Sequence, residues 1–134
     1  MGVGDARPST PKFAVASEPP ESGLGLISIR GEVDMLTAKI VRAEVAGSLR
    51  GGQVSRLIFD LSECDFIDST GIGVFVEAQR TLSGDGFTES HVALVVSEGP
   101  VLRNLKMCGI ARVLVTCETR EEALEWLAGT RISE

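Results

Sequence analysis

Leu57-Ile58-Phe59-Asp60-Leu61, followed by Cys64-Asp65-Phe66-Ile67-Asp68-Ser69-Thr70-Gly71-Ile72-Gly73-Val74, decides how the chain folds. The first five residues are a nearly continuous apolar run, the pattern of a strand buried on both faces. Ser62 to Asp68 reads as the loop after it. Beyond the loop, Ile72, Phe75, Val76 and Leu82 can share one helical face, so a helix is expected from Thr70 to Leu82, stopped by Ser83-Gly84-Asp85-Gly86. Asp68, Ser69 and Thr70 thus stand at a helix start, where backbone N–H groups lack internal partners and point outward. A ligand or partner can approach closely there.

Toward the N-terminus the period changes twice. Leu36, Ile40, Val41, Val45 and Leu49 recur at helical spacing, with Asp34 placed to cap and Gly51-Gly52 to terminate. Before them, Lys12 to Ser17 and Leu24 to Arg30 alternate as strands around the turn-forming Glu18 to Gly23, which predicts a β-hairpin. Toward the C-terminus, Val92 to Val96 reads as a second buried strand. A short helix carrying Val101, Leu102 and Leu105 follows, with Pro100 in its first turn and Gly109 at its left-handed end. Val113-Leu114-Val115 is the expected last strand. Thr119 and Glu122 have capping-box spacing for a final helix through Leu124 and Leu127, with Trp126 either packed or at the surface.

The predicted order β-β-α-β-α-β-α-β-α implies an α/β domain. Its mostly parallel sheet of four to five strands has an antiparallel edge strand and is joined by right-handed crossovers, with four helices in all. The expected boundaries are a flexible tail over 1–11, one domain over 12–128, and a C-terminal tail over 129–134. Four of the five prolines fall in the first twenty residues, which fits a loop-rich start.

Composition narrows function further. A formal net charge of −6 repels phosphate backbones and no basic cluster compensates, so no nucleic-acid partner is expected. The longest apolar run, Val92 to Val96, is far short of the roughly 20 residues a membrane span needs, and no secretory or myristoylation pattern opens the chain. A cytoplasmic protein without membrane contact is expected. Cys64, Cys108 and Cys117 form no Cys-x-x-Cys pair, so no metal site or disulfide framework is expected, and reduced thiols with small packing roles are. A redox role for Cys108, gating partner binding, is the less economical reading.

Enzymatic readings fail on missing partners. A serine nucleophile needs a base, and the only histidine, His91, opens a different strand with no evident orienting carboxylate. Asp68-Ser69-Thr70-Gly71 is superficially that of an aspartic protease, whose chemistry needs a second such carboxylate. Gly71-x-Gly73 lacks a third glycine, since Val76 stands in its place, so no cofactor is expected. Asp68, Ser69 or Thr70 could simply cap the helix. Against a purely structural role, glycine in a helix costs about 0.5–1 kcal/mol relative to alanine, so Gly71 and Gly73 suggest close approach of another surface.

Two motifs, Gly31-Glu32-Val33-Asp34 with Thr37-Ala38 following, and Phe66-Ile67-Asp68-Ser69-Thr70-Gly71-Ile72-Gly73-Val74, resemble those of bacterial anti-sigma-factor antagonists and related STAS domains. The element order agrees from about Lys12 to Leu127. The resemblance implies a STAS-like fold and a protein that is not an enzyme but a kinase's substrate. It implies phosphorylation of Ser69 by an anti-sigma-factor serine kinase, with Thr70 the lesser acceptor. The unmodified protein would bind that kinase and free a sigma factor; the modified one would not bind until a phosphoserine phosphatase restores it. Asp34, Asp68, Ser69, Thr70, Gly71 and Ile72 are the implied partner-binding residues. The alternative within the family is a non-switching interaction module, either a stressosome-type scaffold or a transporter-associated subunit. The serine favours the switch.

Overall fold

In the computed structural model the described residues are 13–84, 90–110 and 113–132, with side chains to 128. The elements run β1 Ala14–Glu21, β2 Leu24–Val33, α1 Thr37–Leu49, β3 Arg56–Ile67, α2 Ser69–Ser83, β4 Val92–Val95, α3 Pro100–Met107, β5 Val115–Cys117 and α4 Arg120–Ile132. The strands stand in sequence order, with β1 antiparallel to β2 and every later pair parallel. This is the expected mixed α/β sheet with an antiparallel edge and four helices.

Sequential strand order has a direct consequence for the helices. Each crossover advances one strand in the same direction, and right-handed crossovers then put α1, α2 and α3 on one face. Phe59 and Phe75 centre the core beneath them, their ring centroids 4.6 Å apart. The chain has only α4 left for the opposite face, where Ile58, Ala93, Val95, Cys117, Ala123 and Leu127 form a smaller core.

Several element bounds differ from expectation for identifiable reasons. β3 does not stop at Leu61: Ser62 to Ile67, expected as loop, extends it, because the long β2 supplies ladder partners as far as Val33↔Ile67. The hairpin turn is only Ser22-Gly23, both at positive φ (55° and 83°), as a two-residue turn of type I′ requires. Pro19 and Pro20 therefore lie within β1, at a sheet edge that tolerates them. The last strand begins at Val115, since Val113 and Leu114 both donate to the Ile110 carbonyl in a turn, 2.9 Å each. α4 continues to Ile132, past the boundary expected at 128, while the tail expected over 1–11 lies outside the described residues.

Which helix faces are buried also differs in part. α1 buries Ala38, Val41 and Val45, whereas Leu36 and Ile40, expected on that face, are exposed. On α2, Ile72 and Phe75 are buried as expected, together with Val74 and Ala78, and Val76 and Leu82 are half-buried. On α4, Ala123 and Leu127 seat the helix, and both Leu124 and Trp126 lie at the surface. The capping box forms in altered register: Thr119 Oγ1 accepts from the Glu122 N–H (3.1 Å), and Glu122 Oε1 accepts from the N–H of Glu118, one residue early (2.9 Å). Pro100 occupies the first turn of α3, and Gly109 adopts the left-handed φ of 72° just past its end.

Candidate functional site

Parallel pairing brings two aspartates together. Val33 and Ile67 are partners at the carboxyl ends of β2 and β3, so Asp34 and Asp68 leave the sheet side by side. The Asp68 N–H donates to the Val33 carbonyl at 3.1 Å, fastening one junction to the other. In open α/β sheets ligands bind outside the carboxyl ends of the strands, the end at which both aspartates stand.

Each aspartate opens the helix that follows it. Asp34 Oδ1 accepts from the N–H groups of Leu36 and Thr37, 3.0 Å each. Thr37 Oγ1 in turn accepts from the Asp34 N–H and donates to the Glu32 carbonyl, at 2.9 and 2.7 Å. The Thr37 N–H foremost, with its hydroxyl and the Leu36 N–H, holds the Asp34 carboxyl below its ordinary pKa against a desolvation that opposes them. Asp68 has extended backbone angles and accepts from the Gly71 N–H at 3.1 Å, so it caps α2. Asp68 is thus the N-cap of α2, whereas Asp34 holds the turn that leads into α1, whose N-cap position is Leu36. These bonds account for the carboxylates and leave the Ser69 side chain to be explained.

Ser69 is the first residue of α2 and is exposed; Thr70 is half-buried behind it. Gly71 and Ile72 are buried, so they form the floor of the site and not its surface. A Cβ on Gly71 would come within 2.6 Å of Val33 Cγ1 and 2.8 Å of Ile67 Cγ1. The close approach expected of another molecule at Gly71 is therefore made by the protein's own β2 and β3. Gly73 has nothing within 4 Å of its notional Cβ and faces open space.

Two features of the site leave little trace in the sequence. Asn104 of α3 donates from Nδ2 to the Ile67 carbonyl at 3.0 Å, tethering the end of β3 immediately before the site. No local pattern marks such a long-range bond. Met35 and Leu36 are 64% and 72% exposed, and Phe66 is also exposed, so apolar surface flanks both aspartates. Two large apolar residues directly after Asp34 were the available signal for the first pair. Among the described residues no group of three or more metal-ligating side chains gathers here or elsewhere.

The cysteines have separate environments. Burial raises the Cys64 thiol to about 11, with Asp65 and Glu32 adding to the effect, and burial raises Cys117 as well. A thiol so far above neutrality is a poor nucleophile. Cys108 is exposed, contrary to the packing role expected of it. No helix of the described residues is long and apolar enough to cross a membrane.

A mixed sheet with three crossover helices on one face and a fourth helix on the other defines a class of small α/β domain. The STAS domain pattern matches residues 19–123, and the chain belongs to the STAS domain family. Among curated relatives, the anti-sigma-F factor antagonist RsfB of Mycobacterium tuberculosis is 26% identical over 125 residues, covering 92% of this chain and 98% of that one. The anti-sigma-B factor antagonist of Listeria monocytogenes is 32% identical over 89 residues, 66% of this chain and 74% of that one. Of solved structures, the anti-sigma factor antagonist SpoIIAA in its unphosphorylated form superposes with a TM-score of 0.70 at 22% identity, covering 87% and 97%.

Proposed function

We propose that the chain is an anti-sigma-factor antagonist worked by a phosphoserine switch. Unphosphorylated, it binds an anti-sigma-factor serine kinase and frees the sigma factor; phosphorylation at Ser69 abolishes that binding, and a phosphoserine phosphatase restores it. The observation that carries this reading is the exposed Ser69 at the first position of α2, directly after Asp68, whose carboxylate is already committed to capping that helix.

The chemistry asks little of this chain. Ser69 Oγ attacks the γ-phosphorus of ATP held by the kinase, ADP leaves, and the hydroxyl proton passes to a base on the kinase. The protein is the substrate and not the enzyme. Docking uses Asp34, Asp68, Ser69 and Thr70 as the polar surface, over the floor of Gly71 and Ile72, with Met35 and Leu36 as apolar contact.

A phosphate at Ser69 adds roughly −1.5 to −2 charges to a surface that must be desolvated on binding. The start of α2 accommodates an anion within the free protein, so the fold stays intact. Losing a hundredfold in affinity takes only about 2.8 kcal/mol, which repulsion by an acidic partner surface or one lost buried contact supplies. This reading is that of a cytoplasmic regulator that needs no cofactor.

The test is incubation of the purified protein with ATP and lysate of its source cell, followed by intact mass and phosphosite mapping beside a Ser69→Ala variant. One phosphate on Ser69, absent from the variant, together with kinase capture by the unmodified protein alone, is the expected result. No phosphate under conditions where the lysate kinases are demonstrably active would return Ser69 to a structural role and favour a non-switching module.

A further inference from the structure

The sheet has two edges and they differ in kind. β5, at one edge, is three residues long. β1, at the other, is eight residues long and exposed except for a half-buried Val15, with β2 on one side only. Natural edges are blunted by charge, proline or brevity. Pro19 and Pro20 blunt the second half of β1, but Ala14-Val15-Ala16-Ser17 carries no charge and no proline.

This half of the strand is also self-complementary. We propose that β1 pairs antiparallel with β1 of a second copy of this chain about a two-fold axis at Val15, giving a continuous sheet of ten strands, five from each copy. The axis sets Ala14 against Ala16 of the other copy, twice, and Phe13 against its Ser17. Ala14 and Ala16 lie on the open face, lining a groove with Ser28, Arg30, Asp60 and Arg120, so small side chains meet there without a clash. Val15 and Phe13 pack toward the large core on the other side.

The pairing is isologous, so it closes on itself and stops at a dimer. A contact of one short strand is small, which makes the dimer concentration-dependent. It is independent of the proposed switch, because β2 lies between β1 and the β3–α2 junction and that junction stays free.

Sedimentation velocity over a concentration series tests the pairing. The unmodified protein is expected to move from monomer toward dimer. Ala14→Lys with Ala16→Lys, and separately Ala14→Glu with Ala16→Glu, set like charges opposite one another and weaken the dimer by about tenfold or more. A one-to-one mixture of the two variants is expected to recover a heterodimer, which misfolded variants would not do. Amide exchange in β1 of the unmodified protein, slowing as concentration rises, gives a readout free of any substitution. A protein monomeric throughout the series, a lysine variant that dimerises as well as the parent, or β1 exchange independent of concentration would each overturn the proposal.

Discussion

The two faces of this sheet are built differently. Beneath α1, α2 and α3, Ile27, Ile29, Leu57, Phe59, Leu61 and Leu94 are sealed from solvent. Beneath α4, the cover reaches Ile58, Ala93, Val95 and Cys117 but leaves Ala14, Ala16, Ser28 and Arg30 around an open groove. Five strands spaced about 4.8 Å apart span roughly 20–25 Å, and one helix about 10 Å wide covers half of that. An ion pair between a buried carboxylate and a half-exposed arginine marks the boundary. Asp60 is 8% exposed and takes the Arg120 Nε–H at 2.7 Å, while Arg120 also reaches Ser28 Oγ at 3.3 Å and Glu18 at 3.7 Å. The lesson is that the sealed face holds the fold together, and the site sits where that face ends.

If this contrast is right, the largest effect belongs to the sealed face. Phe59→Ala removes a fully buried ring packed at a tilt against Phe75 and is expected to cost about 3–5 kcal/mol in chemical denaturation. A loss under about 1 kcal/mol would mean that this core is not the main support.

Gly71→Ala comes next, because it drives a methyl into Val33 and Ile67. We expect a cost of about 1–3 kcal/mol and weakened kinase capture as the start of α2 shifts. Gly73→Ala, into open space two residues on, should instead stabilise by about 0.5–1 kcal/mol. Equal effects at the two glycines would erase the distinction between floor and surface.

The ion pair should register as pH dependence. Burial pushes the Asp60 carboxyl up, but the Ser62 hydroxyl and N–H and the Arg120 guanidinium outweigh it and leave its pKa below the ordinary value. Its contribution is therefore full above the unfolded-state pKa and is lost as pH falls through the lower folded value. Asp60→Asn should flatten the stability curve between about pH 5 and pH 2, by less than about 1 kcal/mol given the half-exposed arginine. An unchanged slope in that window would remove the pair from the account.

The smallest effect is expected at Leu124→Gln, on the flank of α4, where Leu124 lines a second depression with Pro19, Leu24 and Leu26. Thermal melts should place it within about 0.5 kcal/mol of the parent. A larger loss would mean that the second face is better covered than its geometry indicates.

Legibility in the sequence followed the range of the forces involved. The buried cores of β3 and β4, the caps at Asp68 and Thr119, Pro100 and Gly109 rest on local bonds or local patterning, and each was readable. The second half of β3 was not, because Ser62, Glu63 and Asp65 look like loop until β2 supplies their ladder. At the site, Ser69 and the two aspartates were legible as a motif. The burial of Gly71, the Asn104 tether and the exposure of Met35 and Leu36 were not, since each depends on what packs beside the residue.

By itself the sequence determined the order of elements, the family and the position of Ser69 at a helix start, because periodicity and capping act over a few residues. Tertiary structure alone decided that Asp34 and Asp68 stand together, that Gly71 is floor and not surface, and that one face of the sheet stays half open. Those outcomes follow from strand register and crossover handedness, which join residues more than thirty positions apart and leave no local trace.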